Sequence, residues 1–580
     1  MYPNSFLVCV RDAGNLNAKP SGPSSYRANG VELVVDRPNP RYMAIHQAED
    51  GFGVYVGDSL HVDPAYVEKK CRTGWNSAAD NGSFVRFHAP SGKLSIDSDF
   101  LGTEILYYGT GEDGVFISNR IENITPRIDA APDFLGINQF LLAAHTVRKR
   151  TCVKNLYQTR PLKRIEIDTA TLAVSEVVSG EWMVNRDLSF DSEAMASMWS
   201  DVLDKSPRSV LMLSAGWDSR MLLSNNLDRL VASYSHGDLE SREMRLVYAL
   251  ASERLPRLLF NKTNAASYGI ETMAEMMQQL GHAFNPHWYF AARECSRFTD
   301  APLTAGIYAE HLSGQYGTTS TGSIKSKAMN LMKGLFAPDK LNALSEEEVR
   351  AYALNLLGSS LGTPWFLPDS WREIFGTVDE QNLADIEAAL REYQDEGTSG
   401  LQEVFERYRL EQTQRQYYAR QSRCGIAYNG FHHPYADSRL SKAVVEIPFQ
   451  HRIQYKMSRA ILMHLQPSLL EKPMAATLVK AKAPIFLQES SRGVRIAAQR
   501  MYGVITGRRT IRLGWNNFEF LHKTDIFDQY VDALNAEFWD RNKMRKFIKE
   551  YREAGKNAYS LLDMFSKILT VDFWVGSRRG

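Results

Sequence analysis

Short apolar runs broken by turn-forming residues dominate residues 1–185, and they read as strands. The runs at residues 6–10 (FLVCV), 31–35 (VELVV) and 53–56 (GVYV) lie between clusters of Gly, Pro, Asn and Asp, the punctuation expected around strands. Residues 83–88 (SFVRFH) alternate with a period of two. Residues 102–108 and 114–118 read as a hairpin, and the turn at 109–114 (GTGEDG) is rich in residues that tolerate positive φ. A helical stretch follows at 133–145, then strands at 162–167 and 172–178. The pattern predicts a part that is mostly β.

The character changes after residue 190. Residues 190–203 have helical spacing, and residues 209–213 (SVLML) form a continuous apolar run, as suits a strand buried on both faces of a parallel sheet. Small residues at 214–219 follow, and a helix is expected from Arg220. Strands at 230–234 and 257–260 bracket a helical stretch at 240–254. Alternating strand and helix predicts a doubly wound α/β unit. Helix formers fill residues 325–425, with helices expected at 345–357 and 383–396 and breaks near 358–362 and 397–400. The last 90 residues read as helices packed on that core. The expected division is one unit over residues 1–185 and a second over 190–580.

Composition narrows the field. With 44% hydrophobic and 23% charged residues, the chain of 580 residues has the make-up of a soluble globular protein with more than one core. A formal net charge of +1 gives no global field to hold nucleic acid or an anionic membrane. Five scattered cysteines, with no C-x-x-C pair, argue against a disulfide framework or a zinc site and fit a reducing compartment. No secretory leader and no membrane-spanning run is read, so the expectation is a cytoplasmic protein.

The strongest local signal is Ser214-Ala-Gly-Trp-Asp-Ser219 between a buried strand and a helix. Unpaired N–H groups in such a turn favour an anion such as phosphate. Ser214 and Ser219 add hydroxyls, and Asp218 is placed to hold the Mg²⁺ that accompanies a nucleotide. The loop has no lysine and is not the kinase-type phosphate loop. The same pattern also fits a strand–turn–helix whose Asp and Ser only cap the helix.

Ser214-Ala-Gly-Trp-Asp-Ser219 resembles the S-G-G-x-D-S pyrophosphate loop of ATP pyrophosphatases, specifically of asparagine synthetase-like enzymes. Three further segments follow in that family's order. Residues 305–316 (AGIYAEHLSGQY) resemble its S-G-E-G-A-D-E-L-F-G-G-Y loop, and residues 431–440 (FHHPYADSRL) its R-x-P-F-L-D-x-R-L segment. Residues 456–463, 467–470 and 480–482 (KAK) resemble the stretch leading to a catalytic lysine. Residues 81–84, 101–108 and 116–119 are similar to motifs of class II glutamine amidotransferases, a resemblance that implies a β-rich α+β sandwich for residues 1–185.

The resemblance implies ATP and Mg²⁺ as cofactors, with Asp218 and Glu310 as metal ligands and Ser214, Ala215, Gly216, Asp218, Ser219 and Gly306 around the nucleotide. It implies Lys482, or else Lys480, as the lysine that stabilises charge on the acyl-adenylate, with Glu310 beside it in catalysis. A structural salt bridge is the competing role for Glu310. Asp437 and Arg439 read as loop organisers, His432 and His433 as loop residues or bases, and Glu411 as a candidate general base. Ala215, Ile307 and Glu310 depart from the family pattern; Ile307 weakens the case for ammonia chemistry, and the longer Glu310 changes the metal geometry. A glutaminase of this class needs cysteine after the initiator methionine, where this chain has Tyr2. The function implied is an ATP-dependent ligase that adenylates a carboxylate on a small molecule or peptide for attack by an amine, as in β-lactam synthetases and lasso peptide cyclases. An ammonia-dependent synthetase and a degenerate homologue serving as a binding subunit stay open. Nucleic-acid and membrane partners are not expected, and the sequence is silent on oligomeric state.

Overall fold

The apolar runs of the N-terminal part become two stacked antiparallel sheets. The computed structural model describes residues 1–11, 24–314, 378–506 and 518–576 apart from a few positions within them, with scattered residues between 332 and 348. The strands are β1 (Ser5–Val10), β2 (Ser24–Ala28), β3 (Val31–Asp36), β4 (Met43–Ala48), β5 (Gly51–Val56), β6 (Ser83–His88), β7 (Lys93–Ser98), β8 (Tyr107–Gly111), β9 (Gly114–Ser118), β10 (Leu156–Gln158), β11 (Lys163–Asp168) and β12 (Val174–Val178). One sheet has the order β10-β8-β9-β1-β3-β2 and the other β12-β11-β7-β6-β5-β4.

Alternation decides what each face buries. Phe6, Val8 and Val10 of β1 point between the sheets with Val54, Val85, Ile96 and Ile165. Leu7 and Cys9 point the other way, into a second core with Ile137 and Phe140 of the helix Phe134–Ala143. On the outer face of the second sheet, Val67 of the helix Pro64–Thr73 packs with Tyr55 and Phe84. Gly53 makes that docking possible, because a Cβ there would lie 2.5 Å from Cys71 Sγ.

The second part carries a five-stranded parallel sheet of β13 (Ser209–Met212), β14 (Leu230–Gly237), β15 (Leu258–Lys262), β16 (Leu303–Thr304) and β17 (Phe431–His432). Its order is β15-β14-β13-β16-β17, and all four pairings are parallel. β13 is buried along its whole length, as a strand covered on both faces requires. The chain builds outward from β13 to one side, then returns to its other side with β16. The crevice beyond the C-terminal ends of β13 and β16 is therefore where this class of sheet binds ligands.

Three expectations need correction. The strand read at 102–108 begins only at Tyr107. Asp99 pins the preceding residues in a turn by accepting from Gly82 N (2.5 Å) and Thr103 N (2.8 Å). β8 then runs on through the glycine-rich segment, so the turn shrinks to Glu112 and Asp113. The helix expected from Arg220 begins at Trp217 and is six residues long. The helix expected at 345–357, apart from residues 345, 347 and 348, the break at 358–362 and the end of the 305–316 loop lie outside the described residues. The helix expected at 383–396 is Val378–Asp395.

Buried polar contacts lock the sandwich to the parallel sheet. Asp58 meets Nδ1 of His432 at 2.7 Å and accepts the backbone N–H of His433 at 2.7 Å, while Nε2 of His432 faces Ser206 Oγ at 2.8 Å. Arg423 donates to Glu104 at 2.6 Å, and Tyr42 donates to the same carboxylate at 2.9 Å. Asn81 accepts from the Ser438 N–H at 2.7 Å. A π-helical stretch, Arg409–Tyr418, widens the helical ladder, and Gln416 there donates to Thr146 O at 2.8 Å.

Burial alone would raise the Asp58 pKa, but His432 and the His433 amide outweigh it and hold the carboxyl at about 2. A depressed pKa contributes stability that is present above the unfolded value of about 4 and lost as pH falls toward the folded one. Asp58→Asn is expected to lower the unfolding free energy at neutral pH by about 1–3 kcal/mol. Its deficit relative to wild type should shrink between about pH 4 and pH 2, measured by denaturant titration across pH; a deficit constant over that range contradicts the assignment.

Candidate functional site

The phosphate-loop candidate and the acidic loop meet at the crevice between β13 and β16. Residues 214–216 leave the end of β13, and Gly216 starts the short helix Trp217–Leu222, so Asp218 sits in its first turn. Residues 305–309 leave the end of β16 and lead into the helix Glu310–Ser313. Gly306 passes so close that a Cβ on it would lie 2.4 Å from Asp218 Cβ. Any side chain at 306 would drive the two loops apart.

That approach brings two carboxylates together. Burial, then the neighbouring Glu310 charge, push the Asp218 carboxyl up to about 8. Tyr435 fixes the backbone beneath it by donating its hydroxyl to Asp218 O at 2.7 Å. Two acids held this way satisfy what Mg²⁺ asks of a protein: one or two carboxylates, with phosphate oxygens and water completing the shell. Among the described residues no cluster of three or more His, Cys, Asp or Glu gathers for a metal, so an all-protein cage is not what is built here.

Ser214, Ala215, Gly216, Trp217 and Asp218 form one wall of a cleft of about 510 Å³, within the range of small-ligand sites of about 300–1,000 Å³. Tyr455, stacked on Trp217 at 5.1 Å between ring centres, and residues 474–477 continue that wall. The opposite side is the helix Ile485–Thr506, which contributes Ile485, Gln488, Glu489, Arg492 and Arg495. The helix Trp217–Leu222 is too short for a large dipole, so binding there rests on loop amides and hydroxyls. The Ala215 N–H already holds an anion, donating to Glu243 Oε1 at 2.6 Å.

The sequence-predicted residues are not all in the cleft. Ser219 faces inward, accepting the Ser214 N–H at 2.9 Å and meeting Ser214 Oγ at 3.0 Å, so it staples the loop. Glu310 reaches Asp218 from behind the lining. Lys482 is not brought to the lining: its ammonium pairs with Glu471 at 2.5 Å, and Lys480 pairs with the same carboxylate at 3.0 Å. A bridge between Pro473 and Lys480 and the bond from Lys482 N to Leu470 O (3.0 Å) set that geometry. The hairpin presents residues 474–477 to the cleft and keeps both half-exposed lysines at its base.

His432 is a clamp between Asp58 and Ser206. Asp437 caps the helix Ser438–Glu446 by accepting from Arg439 N and Leu440 N, both at 3.1 Å. Glu411 is buried, bound by Arg407 and by the Tyr393 hydroxyl, each at 3.0 Å, and serves packing.

Sequence reasoning missed Glu243, Arg220, Arg492 and Arg495. Arg220 is fully buried and donates to Leu469 O (2.6 Å), Lys472 O (3.0 Å) and Pro473 O (2.5 Å), tying the 469–473 segment to the phosphate loop. Nothing local in the sequence marks it, since its partners are backbone carbonyls some 250 positions away. Arg492 and Arg495 were legible in principle, because Ile485, Gln488, Arg492 and Arg495 recur at helical spacing.

Comparison with descriptions of known protein families and with curated proteins finds no match.

Ionisation of Asp218 beside Glu310 opposes folding, so removing that charge should stabilise the protein. Because the folded pKa lies above the unfolded one, stability falls as pH rises through the interval between about 4 and 8. Asp218→Asn is expected to melt higher than wild type, with a gap that widens over that interval. Mg²⁺ is expected to raise the wild-type melting temperature and not that of the variant; an Asn variant less stable than wild type at pH 8 contradicts the like-charge pairing.

Proposed function

We propose that the protein is an ATP-dependent ligase that activates a carboxylate as its adenylate and passes the acyl group to an amine. The observation that carries this reading is the meeting of Asp218 and Glu310 at the sheet's switch point, beside a Ser-Ala-Gly loop that opens into a ligand-sized cleft. It joins the resemblance of residues 214–219 and 305–310 to the asparagine synthetase-like family, within which the parallel-sheet part is the ATP pyrophosphatase unit and the sandwich is the amidotransferase-like unit.

Bound in the cleft, ATP supplies the adenylyl group, and Mg²⁺ held by Asp218 and Glu310 offsets phosphate charge. The chain's own residues position and exclude. Ser214 Oγ and the Gly216 amide lie 3.3 Å apart on the loop, both on the cleft wall. Gly306 leaves room for Asp218, Tyr435 anchors its backbone, and Arg220 holds the 469–473 segment in place.

The nitrogen does not come from glutamine in this reading. All five cysteines have pKa values raised by burial, Cys9 and Cys71 to about 11 and Cys295 to about 12, the opposite of an activated thiolate. Tyr2 packs edge-on to Phe573 and beneath the Arg120 guanidinium at 4.8 Å. The amine then belongs to the acid substrate itself or to a second substrate.

The protein, given Mg²⁺, ATP and a pool of candidate acids, is expected to form AMP and pyrophosphate, and to release no glutamate from glutamine. Formation of ADP and orthophosphate rejects adenylation. Incorporation of ¹⁵N from ammonium into product moves the reaction to an ammonia-dependent synthetase.

A further inference from the structure

The lysine that the resemblance leads one to expect is turned away from the cleft, paired with Glu471. Adenylation still has to manage charge. A carboxylate oxygen bonds to the α-phosphorus while the bond from that phosphorus to the bridging oxygen breaks. The electron pair leaves with pyrophosphate, which gains one negative charge. Positive groups fixed where that charge develops contribute most in a site sheltered from water.

The structure supplies such groups on the wall facing the loop. Arg492 and Arg495 stand one helical turn apart on the helix Ile485–Thr506 and both line the cleft. The Nε–H of each is buried and meets no acceptor in the protein. Their remaining contacts are light: Arg492 pairs with Glu489 of its own helix at 3.1 Å, and Arg495 donates to Gln499 at 3.4 Å. Arg242 closes the group from the first turn of the helix Arg242–Ala251, donating to Ala475 O at 3.4 Å on the cleft wall. Burial and then the charges of Arg242 and Arg492 depress the Arg495 pKa, so the three guanidinium groups share one region, where the neighbouring acid Glu489 is paired with Arg492. Glu243 and Glu489 also line the cleft, but each is engaged, by the Ala215 amide and by Arg492 respectively.

We propose that Arg492 and Arg495, supported by Arg242, form the cationic wall that grips the β- and γ-phosphates of the nucleotide and receives the pyrophosphate leaving group, in place of Lys482. This rests on the adenylating function above. Guanidinium suits the task because its planar fork bonds phosphate through two donors at once.

The probe is inorganic pyrophosphate with Mg²⁺, titrated calorimetrically into the full-length chain. Wild type is expected to bind. Arg492→Ala and Arg495→Ala should each weaken binding by about tenfold or more, and Arg492→Lys with Arg495→Lys should recover part of the loss. Unchanged thermal melting of these variants shows that the loss is local. Wild-type affinity in the Arg492→Ala/Arg495→Ala double variant overturns the assignment, as does loss of binding in Lys482→Ala with both arginine variants unaffected. A wild-type protein that binds neither Mg²⁺-ATP nor Mg²⁺-pyrophosphate overturns the adenylating reading itself, and this wall with it.

Discussion

Two carboxyl groups held side by side, which resist ionising together, set the terms for the rest of this molecule. Asp218 and Glu310 arrive on separate loops, one from β13 and one from β16, whose spacing in the sheet is that of hydrogen-bonded neighbours. Gly306 lets the loops close the remaining distance. The arrangement opposes folding twice, by desolvating Asp218 and by placing Glu310 next to it. A fold tolerates such a pair only where its surroundings leave no other conformation available. Strained electrostatics of this kind concentrate at functional sites.

The surroundings can be followed contact by contact. Asp58 and Asn81 of the sandwich hold His432, His433 and Ser438, which flank Tyr435 in the 431–440 segment. Tyr435 in turn holds the Asp218 backbone and packs against Trp199. The sandwich therefore acts on the site through a short mechanical chain. Arg220 makes a second chain: one guanidinium, buried among backbone carbonyls, fixes the 469–473 segment against the phosphate loop. Removing either chain would leave Asp218 and Glu310 free to separate, the outcome their repulsion favours.

What the sequence revealed follows from the range of each interaction. The continuous apolar run of β13 and the small residues after it are local signals, and both were readable, as was the alternation of β6. β2, β4 and β7 were not, because their patterns (SSYRA, MAIHQA, KLSIDS) mix polar residues into strands whose stability comes from neighbours in the sheet. Asp218 was legible as a residue of the turn after β13, because its position is set by its own loop. Lys482 was assigned from its neighbours in sequence, yet the Pro473–Lys480 bridge decides where its side chain points. The helix start was misplaced by three residues, because Trp217 reads as a loop aromatic until Tyr455 stacks on it from a segment far away.

The distribution of charge within the cleft constrains its ligand further. Asp218 and Glu243 line the cleft, with Glu310 next to Asp218, and Arg492 and Arg495 line it from the helix Ile485–Thr506, with Arg242 next to Arg495. A simple anion entering the cleft is repelled by the first group, and a simple cation by the second. A ligand with positive charge at one end and negative charge at the other suits both groups together. The Glu243 carboxylate engages the Ala215 amide, and burial raises its pKa. The charge pattern of the cleft therefore selects a ligand of mixed charge over a simple anion or a simple cation.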